Sequence, residues 1–402
     1  MKILLVHNFY RSGAPGGEDV VFAQEKSLLE AAGHEVITYT RSNDEMNERN
    51  PLDALRTLAG LRRSRRTVRE LGTLLQRERP DVAHFHNTFP LISASGYEAC
   101  VEAGVPVVQT LHNFRMTCAA GTHYRAGRVC ESCTAQDHRA AIEHRCYRNS
   151  AAASFAVARM LRAQAIDRSL VRGVDRFLVL SPFAAKRFVA AGIPPEKITV
   201  KPNCVEVGEQ LVERPHRDVT EARPFAIFVA RLSSEKGVRT LLRAWQGLRD
   251  LPLKIVGDGP LRGELQAIVH EANLPVEFLG LCSRADTLAQ VAQAAMQIVP
   301  SECFEGTPLV IPEAWSRGTP VIAAHLGSMI DTLGPEPCGI FFTPGDAADL
   351  MRAVRQLQAD PLLGAALRTK GFDRCRRVHS PAATLAVLES TYQSLLASRV
   401  AA

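Results

Sequence analysis

Short apolar runs of strand length alternate with longer stretches of helical period along most of this chain, and that rhythm constrains the fold more than any single motif. Residues 3–6 read as a strand and 20–32 as a helix closed by Gly33. The next strand is 35–39, and Pro80-Asp81 leads into another at 82–86. A helix over 97–103 stops at Gly104, and strands follow at 106–111, 177–180 and 198–200. Strands separated by helices imply a parallel sheet with right-handed crossovers. The rhythm breaks over 204–223, a polar stretch that reads as a linker, and restarts with strands at 225–230, 253–256, 276–279, 297–299 and 320–323. At 402 residues the chain is too long for one ordinary domain. The expectation is an α/β protein of two doubly wound, Rossmann-like domains, 1–205 and 206–380. A last segment, 381–402, carries a helix that crosses back to the first. Ligands of such sheets bind beyond the carboxyl ends of the strands, so two facing sheets imply an interdomain cleft.

The apolar start MKILLVHNFY lacks a full hydrophobic region and a small-residue cleavage site, so it reads as a first buried strand and not as a signal peptide. No apolar run reaches the ~18 residues that a membrane span needs. A cytoplasmic protein is expected, with most of its ten cysteines reduced. A net charge of +6 suits anionic partners such as phosphates, sugar nucleotides or acidic lipid.

The chemistry concentrates in SECFEGTPLVIPEAWSRGTPVIAA, residues 301–324, bounded by two strands. Glu305 and Glu313 stand eight residues apart, with Gly306-Thr307-Pro308-Leu309 after the first. Pro308 suits a first helical turn. Exposed N–H groups at a helix start would bind phosphate or sugar oxygens. Glu313, one to two turns into that helix, would accept from vicinal ribose hydroxyls. Straight after the first strand of the second domain come Arg231 and Lys236, two cations suited to a diphosphate leaving group. Gly257 and Gly259 follow the next strand, where they serve either ligand approach or turn geometry.

With these residues in place, the chain resembles the family 4 glycosyltransferases, retaining enzymes of the GT-B fold, over nearly its whole length. The Glu-x7-Glu spacing of Glu305 and Glu313 matches, as do Arg231, Lys236, Gly306, Glu313-Ala314 and Gly318-Thr319-Pro320-Val321. The resemblance implies that Arg231 and Lys236 neutralise the donor diphosphate, that Glu313 holds the ribose, and that Glu305 sits by the donor sugar. It implies sugar contacts from the stretch after Glu305, base contacts near Leu281-Cys282, and no divalent metal in catalysis. In the first domain, 12–18 resembles the family's glycine-rich loop, with Gly16 and Gly17 approaching the donor. His84, His86, Asn87 and His112 lie at strand ends and would face the cleft. By resemblance His112 is near the reacting centre, while His86 and Asn87 line the acceptor side. The reaction implied is front-face transfer of a hexosyl group from a UDP- or GDP-sugar to a glycan or lipid-linked acceptor.

Two segments stand apart. Residues 115–149 fit no βα unit and carry Cys118, Cys130, Cys133 and Cys146, with His123, His138 and His144 as spare ligands. A structural zinc site, free thiols and a redox pair all stay open. Residues 56–79 hold eight Arg against two Glu, a local charge of +6, on an expected amphipathic helix. Such a face either is solvated or lies on anionic lipid at the inner face of the membrane. Nucleic acid does not fit, because no aromatics interleave with the basic run. Three competing functions remain: a sugar-nucleotide epimerase, a nicotinamide dehydrogenase and a silent scaffold that uses the Cys-rich insertion. The transferase block of Glu305, Glu313, Arg231 and Lys236 speaks against all three. The glycines of 257–263 are also misplaced by one position for G-x-G-x-x-G.

Overall fold

The computed structural model describes residues 1–13, 16–47, 57–58, 60–134, 136–211 and 223–400. Ala14 and Pro15 of the glycine-rich loop, Arg56 of the basic run and 212–222 of the linker lie outside the described residues. Two compact units emerge. The first comprises Met1–His123, Cys130–Cys204 and Thr384–Ala402, the second Tyr124–Val129 and Val205–Ala383.

The first unit is built on a six-stranded sheet of β1 (Lys2–Phe9), β2 (Glu35–Ser42), β3 (Val82–Phe85), β4 (Val107–Leu111), β7 (Arg176–Val179) and β8 (Ile198–Val200), in the order β2-β1-β3-β4-β7-β8. Every pairing is parallel. Helices cover both faces of such a sheet, which is why β1 reads as nearly continuous apolar sequence, with Ile3 to Val6 fully buried. The helix Gly17–Ala31 packs Phe22 and Leu29 against Ile3 and Leu5. The helix Pro381–Val400 adds Leu388, Tyr392 and Leu395 to the same core.

The second sheet holds β9 (Ala226–Val229), β10 (Leu253–Val256), β11 (Val276–Gly280), β12 (Met296–Val299), β13 (Val321–Ala324) and β14 (Ile340–Phe342), ordered β11-β10-β9-β12-β13-β14 and again parallel. Its core centres on Trp245 and Trp315, both fully buried. Each satisfies its indole N–H on a carbonyl, Leu251 at 2.9 Å and Cys338 at 3.2 Å, as a buried indole must. The three-residue β14 has no counterpart in the sequence reading, because a run that short carries no period.

Within the insertion, β5 (Tyr124–Arg125) and β6 (Arg128–Val129) form a hairpin around Ala126-Gly127, both with positive φ. The hairpin groups with the second unit, and the Tyr124 hydroxyl donates to the Ser234 carbonyl at 3.2 Å. The rest of the insertion shares a small core with the helix Ala151–Asp167, where Ala119 and Ala141 meet Val157 and Met160. The basic stretch forms the helix Arg65–Glu78, capped by Ser64 and burying Leu71 and Leu75. Arg66 is paired with Glu70 and Glu45, and Arg63 with Glu98, while Arg65 and Arg69 stand exposed. No helix among the described residues is long and apolar enough to cross a membrane.

Candidate functional site

In the second sheet the strand order reverses between the neighbours β9 and β12, which puts the switch point between their carboxyl ends. The loop after β9 makes a tight turn at Ser234–Lys236 before the helix Val238–Trp245. Gly237 ends that turn at φ +68°, and a Cβ there would sit 1.8 Å from the Pro300 carbonyl oxygen. Only glycine therefore lets this loop touch the loop after β12. The Glu302 N–H donates to the Glu235 carbonyl at 2.9 Å and ties the two together.

That contact brings Lys236 to Glu305. The ammonium lies 2.6 Å from Glu305 Oε1, and the Ser301 hydroxyl donates to the same oxygen at 2.8 Å. Burial works against the charged carboxyl of Glu305, but the Lys236 charge and hydrogen bonds from Lys236 and Ser301 outweigh it and hold the group below its usual range. For Lys236 burial is likewise opposed by Glu305, and the net effect is upward. The two are thus an ion pair at neutral pH. The Ser328 hydroxyl donates to the Glu305 carbonyl at 2.7 Å and fixes the backbone. Arg231 stands exposed at the end of β9. Among the described residues its guanidinium has no ion-pair partner.

Glu313 differs from expectation. The helix runs Val310–Ser316 with Leu309 as its N-cap, so Pro308 lies just outside it and Glu313 lies in the first turn. The pyrrolidine fixes Pro308 for a helix start, but the hydrogen-bonded turn begins two residues later. Glu313 is paired with Arg284, 2.9 Å away. Burial raises its carboxyl, against the Arg284 and Arg317 charges. Thr307 is buried, its hydroxyl donating to the Gly306 carbonyl at 2.8 Å. Gly257, at φ +131°, would place a Cβ 2.0 Å from the Ala230 carbonyl oxygen, so its own fold requires the glycine. Leu281, by contrast, is 76% exposed.

In the first sheet the order reverses between β1 and β3. A pocket beyond the carboxyl ends of β1, β3 and β4 is lined by Glu18, His86, Asn87, His112, Asn113 and Arg115, among others. Gly16 caps the helix that begins with Gly17, and the Tyr10 ring lies 2.7 Å from where a Gly16 Cβ would be. Glu18 accepts from Asn113 Nδ2 at 2.6 Å, and burial pushes its carboxyl up despite that bond and the Arg115 charge. The Asn87 amide is spent internally: its Nδ2 donates to the Asn8 carbonyl and its Oδ1 accepts from the Phe89 N–H. His86 and His112 stack at 5.2 Å with Nδ1 and Nε2 3.1 Å apart. His84 does not face open space. It is fully buried between the Tyr392 hydroxyl at 2.8 Å and the Thr110 hydroxyl at 2.7 Å, because alternate strand residues point to opposite faces.

None of the ten cysteines is in a disulfide. Burial raises the Cys133 thiol to about 11, with Cys118, Cys146 and Cys130 adding to the effect, so the four share one neighbourhood. Among the described residues, no three of their sulfurs come within 4.8 Å of one another. A tetrahedral Zn–S4 shell at ~2.3 Å bonds sets them ~3.8 Å apart. His123 is engaged by the Thr117 hydroxyl and the Cys130 carbonyl, while both ring nitrogens of His138 are buried without a hydrogen-bond partner among the described residues.

Sequence reasoning passed over Ser301, Arg284 and Glu18 as site members. Glu18 had a signal, since it follows Gly16-Gly17 directly. Arg284, 29 positions before Glu313, had none.

Comparison with known proteins agrees with this geometry. A family model described as Glycosyltransferase Family 4 matches residues 15–209, and one described as Glycosyl transferases group 1 matches 211–374. The chain is 32% identical over 173 residues to a 2-deoxystreptamine glucosyltransferase of Streptomyces kanamyceticus, covering 40% of this chain and 44% of that one. It is 26% identical over 378 residues to a glycogen synthase of Mycobacterium tuberculosis, covering 92% and 80%. The match to the Streptomyces enzyme thus spans less than half of that relative's length. Among solved structures, Anabaena HepE in complex with UDP superposes with a TM-score of 0.68 at 20% identity, covering 98% of this chain and all of that one. Sucrose-phosphate synthase of Thermosynechococcus elongatus does so with a TM-score of 0.71 at 18% identity, covering 99% of each. The chain belongs to the family 4 glycosyltransferases and has the GT-B fold.

Proposed function

We propose that this protein transfers a hexosyl group from a UDP- or GDP-sugar to a glycan or lipid-linked acceptor, with retention at the anomeric carbon. The observation that carries the reading is the Lys236–Glu305 pair beside Arg231 at the switch point of the second sheet. Three charges held there suit a nucleoside diphosphate: two cations for the phosphates and one carboxylate for a sugar hydroxyl. Glu313 would accept from the ribose hydroxyls once Arg284 yields. HepE was solved with UDP and with UDP-glucose, which favours a uridine donor.

A front-face substitution follows from charge. The departing diphosphate leaves an oxocarbenium-like sugar, and a phosphate oxygen takes the proton of the acceptor hydroxyl on the same face. Glu18, the carboxyl of the first unit's pocket, is engaged by the Asn113 amide, which favours front-face substitution over double displacement. His112 would stand near the reacting centre, with His86 and Asn87 on the acceptor side.

The test is a thermal-shift screen against UDP, GDP, ADP and their hexose conjugates, followed by transfer assays with the nucleotide that binds. A ligand that binds only folded protein raises the midpoint. Glu305→Gln keeps the shape of the site and should still bind nucleotide while losing transfer. Normal turnover in Glu305→Gln, or no nucleotide binding by folded protein, overturns the reading.

A further inference from the structure

Beneath the first unit's pocket, and reaching it at His86, lies a set of ionisable groups of which the reaction above uses His86 alone. Glu25 and Lys201, both fully buried, form an ion pair 176 positions apart in sequence. Two imidazoles lie against the same carboxylate: His84 Nδ1 is 4.0 Å and His86 Nε2 3.6 Å from Glu25 Oε2. A carboxylate and two imidazoles this close have the makings of a metal site. Here the Lys201 ammonium already supplies the positive charge, and both nitrogens of His84 are taken by the hydroxyls of Tyr392 and Thr110.

What remains is directional. Glu25 Oε2 and His86 Nε2 are the two atoms of this set that are buried without a hydrogen bond among the described residues. If His86 Nε2 carried a lone pair, two unpaired acceptors would face each other in the interior, a costly arrangement. A proton on Nε2 turns the same geometry into an attraction that a small closure makes a hydrogen bond. His7, next to this set, shows the same pattern completed. Its Nε2 meets the Asp19 carboxylate at 2.8 Å, and its Nδ1 accepts from the Asn87 N–H at 3.4 Å.

With the proton on Nε2, His86 Nδ1 is an acceptor. The nitrogen facing it at 3.1 Å, His112 Nε2, must then be the donor. Burial keeps both rings neutral, and nearby positive charge adds to that. His112 therefore keeps its lone pair on Nδ1, the nitrogen with no partner among the described residues, and His112 lines the pocket.

We propose that Lys201, Glu25 and His86 are positioning residues that set His112 in the Nε2–H tautomer, so that Nδ1 accepts a hydrogen bond from a substrate hydroxyl. Lys201 holds one oxygen of Glu25, the other oxygen of Glu25 orients the proton on His86, and His86 orients the proton on His112. An acceptor nitrogen at that place selects for a hydroxyl and against an ether or carbonyl oxygen. This assignment rests on the glycosyl-transfer reading only for the nature of the hydroxyl-bearing ligand, and not for the tautomer.

The experiment is a long-range ¹H–¹⁵N correlation spectrum of the imidazoles in uniformly ¹⁵N-labelled full-length protein. The expected wild-type result is an Nε2–H pattern for both His86 and His112. In Glu25→Leu/Lys201→Met, which replaces the pair by apolar groups of similar size, His112 should become a mixture of tautomers. In the same variant kcat should fall about tenfold or more, the usual cost of losing an orienting partner, with KM for the donor unchanged. An Nδ1–H pattern for His112 in the wild type overturns the proposal whether or not the double variant folds. So does a single unchanged tautomer in the folded double variant. Absence of sugar transfer by the wild type would sink the functional reading and leave the tautomer result standing.

Discussion

Lys236→Met should cost the second unit a measurable part of its stability, because it strips a largely buried carboxylate of its cation. The Glu305 and Lys236 side chains are 15% and 26% exposed, at 2.6 Å. Removing one partner of a buried pair costs about 3–5 kcal/mol, and residual exposure places this pair at the low end, about 3 kcal/mol. For a unit of this size that lowers the melting temperature by roughly 6–12 °C. Lys236→Met/Glu305→Gln removes both charges, keeps the Ser301 bond and should recover most of the loss, ending about 1 kcal/mol below wild type. The recovery of about 2 kcal/mol is the part of the loss that comes from the stranded carboxylate charge. The pH dependence has a definite sign. Glu305 is depressed when folded, so its contribution is present above the ordinary carboxyl value and is lost as pH falls through the lower folded value. Lys236 is raised, so its contribution is present below the ordinary amine value and fades only at higher alkalinity. The gap between Lys236→Met and wild type should therefore be flat from about pH 5 to pH 10 and shrink in acid. Urea unfolding and melting at pH 7.5 and pH 4 measure it. A Lys236→Met protein that melts within about 2 °C of wild type at pH 7.5 would refute the reasoning.

Gly237→Ala should be more damaging still, by about 3 kcal/mol or more, since a β-carbon at positive φ would drive into the Pro300 carbonyl; wild-type melting and nucleotide affinity in this variant would contradict it. Of the three readings open for the insertion's cysteines, the zinc reading predicts about one equivalent of metal in protein purified without chelator, lost in Cys133→Ser; metal-free wild type with an intact fold would reject that reading and leave free thiols or a redox pair. Arg62, Arg63, Arg65 and Arg69 are exposed on or just before one helix, and should draw the protein onto vesicles containing phosphatidylserine at low salt, by about 1 kcal/mol per residue. Sedimentation that is unchanged by replacing them with Gln would exclude that surface.

Much of this was legible beforehand because each signal was local. Parallel strands buried on both faces announce themselves as apolar runs, and Glu305, Glu313, Arg231 and Lys236 sit at fixed offsets from strand ends. What the sequence could not carry was pairing across long separations. Nothing near Lys236 says that its charge is already matched by Glu305, or near Glu313 that Arg284 reaches it. Glu25 and Lys201 look like solvated charges on a helix and a strand end until the fold brings them together. His84 misled for a related reason: its place beside a strand end suggested exposure, but the pleat turned it inward.

The helix Pro381–Val400 gives the chain's synthesis an order of its own. Tyr392 closes the core of the first unit and hydrogen-bonds His84, yet it is made after all of the second unit. On the ribosome the N-terminal sheet must wait, with the part of one hydrophobic face that Leu388, Tyr392 and Leu395 will cover still open, while roughly 180 further residues emerge at about 5–20 per second. For many seconds the nascent sheet is a client for whatever chaperone covers apolar surface. A stop codon placed before residue 384 should leave two well-formed second-unit tryptophans and an N-terminal half that never leaves that chaperone.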